Sequence, residues 1–519
     1  MKGIERAMLC ASALVMIFLA FGAVAGEECH HDVVVVGAGI SGLSAVWELT
    51  RSGLDVAVIE MSPHYGGAAL VSEGRICVIG TPEQEQAGVH DSPQTAFEDF
   101  MEYGRDERGS GPNAWWVRYY VNESRREIYD WLTGIGERFE KNVVLMPGNR
   151  VRRWHQVVGG GLGLVEPIYR ECVKTGNVSF SWDTKGISLI RDGDRIIGVR
   201  ARRLRDGTEI DYLARVVILA TGGFQNNMEM VREYWPKDLP FPERLLLGAG
   251  PNAVGSGHTM AKAVSAQLRN MGYQWNYSTG LPDPRDLSGA HGLNAFNQQS
   301  IWINKAGRRF VNESQDTKTT FPAVIRQPGS TYWAIFDSAA RGTFFISGWN
   351  SQKIEDRIFG NPVMKTFVKS APTVHELAAA AGLPLDATED TVRKWNKMVT
   401  EGRDIDFGRI GSSRTPWAYP QKIERPPFYA VQFFPLTRKS MGGVAIDQSC
   451  RVVDVLDRPI PGLYAVGELT GLAEINGKAS LEGTFLGSSI ITGRVAGRAV
   501  VAELTGRRYN EAQIKHILP

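Results

Sequence analysis

Apolar positions along this chain fall into short unbroken runs closed by glycine and longer stretches with helical spacing. The first unbroken run is the four valines of DVVVVGAGISG, Asp32 to Gly42, which predict a strand buried on both faces, as in a parallel sheet. LSAVWELTRSG then reads as a helix stopped at Gly53, and LDVAVIE as a second buried strand ending on Glu60. RVVILATGGF (215–224) and GLYAVGELTG (462–471) repeat the pattern of a strand running into a glycine turn. TVHELAAAAGL (373–383) and TVRKWNKMVTEG (391–402) read as amphipathic helices.

The first unit carries chemistry. Gly37, Gly39 and Gly42 give G-x-G-x-x-G between strand and helix, and Glu60 follows at the end of the second strand. The first glycine makes the turn, the second lets the backbone approach a pyrophosphate, and the third lets helix pack on strand. The helix N-terminus offers free N–H groups and its positive dipole end to the anion. Glu60 is expected to accept from ribose hydroxyls. Past Glu60 comes MSPHYGGAALVSEG, a second glycine turn that favours FAD over a nicotinamide cofactor. The late strand–glycine unit predicts that the FAD domain is split, with its last strand and helix at the C-terminus.

The N-terminus changes the picture of location. Lys2 and Arg6 precede an apolar run, Ala7 to Ala25, that ends in AVA. This is the pattern of a cleaved secretory signal over 1–25, with an uncleaved membrane anchor as the alternative. Either version puts the globular part outside the cytoplasm, periplasmic or extracellular. The 519 residues suffice for more than one domain, and a net charge of +2 gives no basic field for nucleic acid. Five cysteines are scattered without a C-x-x-C pair, so no zinc ribbon and no covalent haem site is expected. CHHD (29–32) is read as a loose new N-terminus rather than a metal site.

Together with TPEQEQAGVHDSPQTAFEDF (81–100), RRWHQVVGGGLG (152–163), ATGGFQNN (220–227), GSGHTMAKAVSAQLRNMGY (255–273), GRRFVNE (307–313), FYAVQFFPLTRKSMGG (428–443) and LYAVGE (463–468), these residues resemble the succinate dehydrogenase and fumarate reductase flavoprotein family. The likeness is closest to its soluble branch of flavocytochrome c fumarate reductase, urocanate reductase and 3-ketosteroid dehydrogenase. It implies an α/β fold: a split Rossmann-like FAD-binding domain over 27–270 and 421–519, with an inserted α+β capping domain over 271–420. It also implies a cofactor-binding set. Gly37, Gly39, Ser41, Gly42, Glu60, Met61, Gly67 and Ala68 would hold the adenosine diphosphate and flavin edge. Thr221 and Gly222 lie at the second turn, and Glu468 matches an acid on the ribitol. Ser489 and Ile490 match residues whose backbone faces the flavin pyrimidine at the N-terminus of the last helix. No covalent-attachment histidine is seen in GGAALVSEG, so FAD is expected to be non-covalent.

The chain departs from the family at four positions that would serve a dicarboxylate. Thr317 stands for the acid arginine, Tyr277 for one histidine, Lys439 for another, and Thr484 for a carboxylate-clamping arginine. A C4 dicarboxylate is therefore not the expected substrate. The expected catalytic groups are Lys439, Arg438, Tyr277 and Glu482, with Lys439 orienting an anionic or carbonyl group or acting as base, and Tyr277 donating to a carbonyl or acting as acid. The implied activity is hydride transfer between flavin N5 and a carbon–carbon bond next to an activating group. A flavin oxidase and a non-catalytic electron relay are the alternatives. A small-molecule substrate and a separate electron carrier, cytochrome or quinone-linked, are the expected partners. No metal and no nucleic acid is expected.

Overall fold

Val33, Val34, Val35 and Val36 are all buried, as their unbroken run requires. They belong to β1, Glu27–Val36, in a computed structural model that describes residues 27–106, 111–411 and 420–507. The signal-like segment 1–25 lies outside the described residues. Helix α1, Ile40–Arg51, leads to β2, Val56–Ile59, which runs parallel to β1 with Val33 opposite Val56. β3, Val178–Ser181, extends the sheet beyond β2. The hairpin of β4, Thr184–Asp192, and β5, Arg195–Arg203, joins the sheet through the first half of β6, Glu209–Leu219. β6 is parallel to β1 over its whole length. Cys29, His30 and His31 pair there with Tyr212, Leu213 and Ala214, so CHHD is sheet rather than a loose terminus. The early half of β6 gives that segment backbone partners that the sequence alone does not advertise.

The second sheet is antiparallel. Its strands are β7, Gln274–Pro282; β8, Gly292–Asn297; β9, Ile301–Ile303; β10, Tyr332–Asp337; β11, Phe344–Ile346; β12, Val368–Ala371; and β13, Phe428–Ser440. Their order is β9-β10-β13-β7-β8-β11, with β12 also on β13. Three helices cover it: α2, Thr317–Ile325; α3, Val374–Ala381; and α4, Leu385–Glu401. The Thr373 hydroxyl caps α3 by accepting from Glu376 N, and left-handed Gly382 and Gly402 end α3 and α4. Val392, Trp395 and Met398 form the buried face of α4 and share a core with Ile303, Ile335 and Leu377. β13 lies past residue 420, yet it sits between β10 and β7 in this sheet.

β14, Arg451–Val453, and β15, Pro459–Ala465, return to the first sheet, where β15 lies parallel to β6 with Leu463 opposite Val217. Helix α5, Thr484–Thr505, then packs on α1. A Cβ at Gly493 would sit 2.2 Å from Ser41 O, so this crossing requires glycine. The fold is thus a split α/β FAD-binding domain with an inserted α+β cap. The thiols of Cys29, Cys77, Cys172 and Cys450 are unpaired. No helix among the described residues is long and apolar enough to cross a membrane.

Candidate active site

The end of β1 and the start of α1 form a cradle. Gly37 has φ +113°, and a Cβ there would lie 2.3 Å from Ala220 O. A Cβ on Gly42 would lie 2.0 Å from Gly37 O, so these two glycines serve close packing. Gly39 is different: a Cβ there would meet nothing within 4 Å. α1 has no side-chain cap and no acid in its first turn, so its leading N–H groups face that open space. Glu60 is buried and accepts from Ala38 N and Ser62 N, both at 2.7 Å. Each carboxylate oxygen keeps a lone pair for a further donor. Met61 follows at the partly exposed edge, and the Gly66–Gly67 turn reaches back to the cradle. A Cβ on Gly67 would come 3.2 Å from Gly39 Cα, while Ala68 is exposed beside Gly250. Ser41 is buried in α1, under Gly467.

Three further turns are knitted together by Glu468 and Ser440. Ser440 N donates to Glu468 Oε1 at 2.8 Å, and Ser440 Oγ accepts from Phe224 N at 3.1 Å. A Cβ on Gly223 would meet Glu468 Oε1 at 2.3 Å and Ser440 Oγ at 2.4 Å, which explains the second glycine of ATGGF. Burial pushes the Glu468 carboxyl up, opposed by the Ser440 bonds and by Lys439. Buried Thr221 Oγ1 has no hydrogen-bond partner among the described residues, and Gly222, at φ +73°, has open space at its Cβ position. Gly442 and Gly443 do permit close approach, but to the chain itself: their Cβ atoms would lie 1.9 Å from Asn270 O and 2.0 Å from Leu469 O.

Where β13 enters these turns, Arg438 and Lys439 meet Tyr277 from β7 and Glu482 from the loop before α5. Lys439 lies opposite Trp275 in the β7–β13 register. Its Nζ sits 3.6 Å above the Phe485 ring and 6.0 Å from the Tyr277 ring. Burial, with Arg438 adding to it, pushes the Lys439 amine down to about 8, against the pull of Glu482 and Glu468. Tyr277 OH donates to Glu482 Oε1 at 3.3 Å, and burial together with Glu482 raises the phenol. Arg438 Nη1 donates to Gly248 O at 2.6 Å. Lys439, Arg438, Tyr277, Glu482 and Glu468 all keep partial exposure although their chain neighbours are mostly buried. The four expected catalytic residues are therefore brought together.

The sequence pattern of the family described as FAD binding domain matches residues 32–486. A cytochrome fumarate reductase of Shewanella frigidimarina is 31% identical, over 90% of this chain and 76% of that protein. A KsdD-like steroid dehydrogenase of Mycobacterium tuberculosis is 28% identical, over 93% of this chain and 98% of that protein. The solved structure of the open conformation of a flavocytochrome c3 fumarate reductase superposes with a TM-score of 0.73 at 26% identity, covering 96% of this chain and 80% of that one. The chain belongs to this FAD-binding family. It is a FAD-dependent oxidoreductase, and FAD is its cofactor.

The cradle fits FAD. Gly39 and Gly222 leave room where a side chain would stand, the α1 amides are uncapped, and Thr221 Oγ1 awaits a partner. One expectation for this flavoprotein needs correction. Ser489 and Ile490 are not at the N-terminus of the last helix but are its sixth and seventh residues. Gly483, at φ +89°, and the Thr484 hydroxyl start α5 more than a turn earlier, so the uncapped amides belong to its first residues. Ser489 and Ile490 are both buried, Ser489 beside Gly467.

Three of the four departures from the family pattern are engaged with the protein itself, Tyr277 through its bond to Glu482. Thr317 Oγ1 donates to Asn276 O at 3.1 Å. Thr484 is fully buried, with its hydroxyl 2.7 Å from Asn476 Oδ1 and 2.6 Å from Leu481 O. Sequence reasoning missed Tyr103, Phe485 and Ser440. Tyr103 OH donates to Asp316 Oδ2 at 2.6 Å across the gap between the first domain and α2, a contact no local pattern signals. Ser440 did carry a signal, as the small residue between the cations and the glycine pair.

Proposed function

We propose that this flavoprotein is exported and adds or removes hydride at a carbon–carbon bond next to an activating group. The segment 1–25 would direct export, and a separate cytochrome or quinone-linked carrier would exchange electrons with it. The bound FAD, held non-covalently, supplies the two-electron chemistry. The chain's own residues do the rest. Lys439 Nζ supports charge that develops on the activating group, in a largely buried setting where such an interaction gains strength. The Tyr277 Oη–Glu482 pair holds a proton next to that group. Arg438 helps bind the substrate. Residues 271–420 together with β13 form the cap that closes the space.

The observation that carries the proposal is Lys439: a cation inside the protein, 3.6 Å above Phe485, beside the Ser440–Glu468 knot. The relatives support it, since those named above are a reductase and a dehydrogenase. A C4 dicarboxylate is disfavoured because Thr317, Tyr277 and Thr484 offer it no cation. Leaving a buried carboxylate without its charged partner costs on the order of 2–5 kcal/mol. The test is an anaerobic screen of saturated and α,β-unsaturated carbonyl compounds for bleaching or reoxidation of the flavin. At least one such compound should change the flavin's redox state, and fumarate with a reduced dye should turn over slowly. A screen with no response, or rapid fumarate turnover, rejects the corresponding half of the proposal.

A further inference from the structure

Most polar side chains around Lys439 already have partners. Thr317 and Thr484 are engaged as described, Tyr103 OH donates to Asp316, and Tyr273 OH donates to Asp106 Oδ2 at 2.9 Å. Trp275 Nε1 and the Asn276 amide are buried without a partner among the described residues, and three charged groups are left open beside them. Lys439 Nζ makes no hydrogen bond to a described residue. Arg438 Nε is buried without a hydrogen-bond partner among the described residues. Glu482 takes only the long 3.3 Å bond from Tyr277 OH on Oε1, and its Oε2 makes none to a described residue. Lys439 and Glu482 attract one another, yet among the described residues no ion pair within 4.0 Å joins them. A cation and an anion held apart in an interior space are costly unless something bridges them.

The leftovers are donors on one side and an acceptor on the other. A carboxylate can take about four donors, and Glu482 is offered one. A second anion on the ligand would be repelled there, and a bare hydrocarbon would leave the acceptor unsatisfied. We infer that the substrate carries a hydrogen-bond donor, a hydroxyl or an N–H, that docks on Glu482 a few ångströms from the carbonyl or carboxylate that docks on Lys439 and Arg438. This rests on the proposed function, because it takes that cavity as the substrate site. Tyr277 then acts as a positioning residue, fixing one oxygen of Glu482 so that the other faces the ligand. The aromatic neighbours Phe485, Tyr277 and Trp275 suit a flat conjugated body between the two polar ends.

The experiment uses FAD-loaded protein and matched pairs of α,β-unsaturated carbonyl compounds that differ only in a hydroxyl against its methyl ether. Binding is read from perturbation of the flavin absorbance and from ligand-induced thermal shift. The hydroxyl member of at least one pair should bind at least about tenfold tighter, about 1.4 kcal/mol. Glu482→Leu should erase that preference and Glu482→Gln should retain part of it, while Lys439→Met weakens both members alike. Equal binding of hydroxyl and ether compounds, or a preference that survives Glu482→Leu, overturns the inference and leaves the cavity assignment standing. If no compound of either kind perturbs the flavin, the cavity assignment falls and the inference with it.

Discussion

Replacing Lys439 with methionine should slow the enzyme and, at neutral pH, make its fold more resistant to denaturant. The ammonium lies inside the protein, 3.6 Å above Phe485, with no hydrogen bond to a described residue. Its pKa falls from 10.5 to about 8, chiefly through burial. At about 1.4 kcal/mol per pH unit, that drop corresponds to roughly 3 kcal/mol of unfavourable charge burial. Lys439 is partly open, so solvent screening trims the figure to about 1–3 kcal/mol. Below pH 8 the lysine is protonated in both folded and unfolded states, and the whole penalty is present. Between pH 8 and 10.5 the folded protein gives up the proton before the unfolded chain does, so the parent gains stability as pH rises. Methionine has no such dependence and packs well on an aromatic ring. Lys439→Met should therefore be more stable than the parent by about 1–3 kcal/mol at pH 7, with the difference shrinking towards pH 10.5. Urea unfolding of both proteins at pH 7 and pH 10 measures this. Once a substrate is in hand, turnover of the variant should drop at least about tenfold, a barrier rise of about 1.4 kcal/mol. A variant less stable than the parent at pH 7, or a gap indifferent to pH, would refute the reasoning.

Acid or heat should release all of the FAD, and flavin that migrates with the denatured polypeptide would contradict non-covalent binding. Gly223→Ala places a Cβ 2.3 Å from Glu468 Oε1; it should lose most of its FAD and about 1–3 kcal/mol of stability, read by flavin absorbance and thermal unfolding. Thr484→Val removes the hydroxyl that Asn476 Oδ1 and Leu481 O share. Its unfolding midpoint should fall by an amount worth about 1–3 kcal/mol, and an unchanged midpoint would mean the knot at the start of α5 is not stabilising.

The dinucleotide unit was legible because its signals are local. Four valines, three glycines at fixed spacing and a terminal acid lie within Asp32–Glu60; close packing needs Gly37 and Gly42 there, and Gly39 leaves open space. The helices α3 and α4 were legible for the same reason, their apolar spacing and glycine stops being visible in any window. What could not be read depends on contacts between distant segments. β13 joins the second sheet because Tyr332–Asp337 lies opposite Phe428–Phe433, and no pattern in either run names the other. The Tyr103–Asp316 bond spans 213 positions. The start of α5 was misplaced because a left-handed glycine and a buried threonine set it, and apolar periodicity does not report either. Leu472, Ala473 and Glu474 all take left-handed backbone conformations, with φ of 60°, 54° and 57°, at residue types that give no warning of it.

β13 passes without a break from the second sheet into Met441 and the turn at Gly443, where the backbone meets Leu268–Arg269 again. That continuity decides how far this protein is modular. A lid carried on two flexible hinges could be exchanged as a cassette, leaving the catalytic floor untouched. Here the return crossing is itself a structural strand of the lid, and the cation pair Arg438–Lys439 occupies its final residues. A graft that replaced the whole second sheet would bring in a new strand end and with it new charges at the turn where Ser440 N meets Glu468 Oε1. In this architecture a change of the second sheet and a change of the cation pair at the end of its central strand are inherited together.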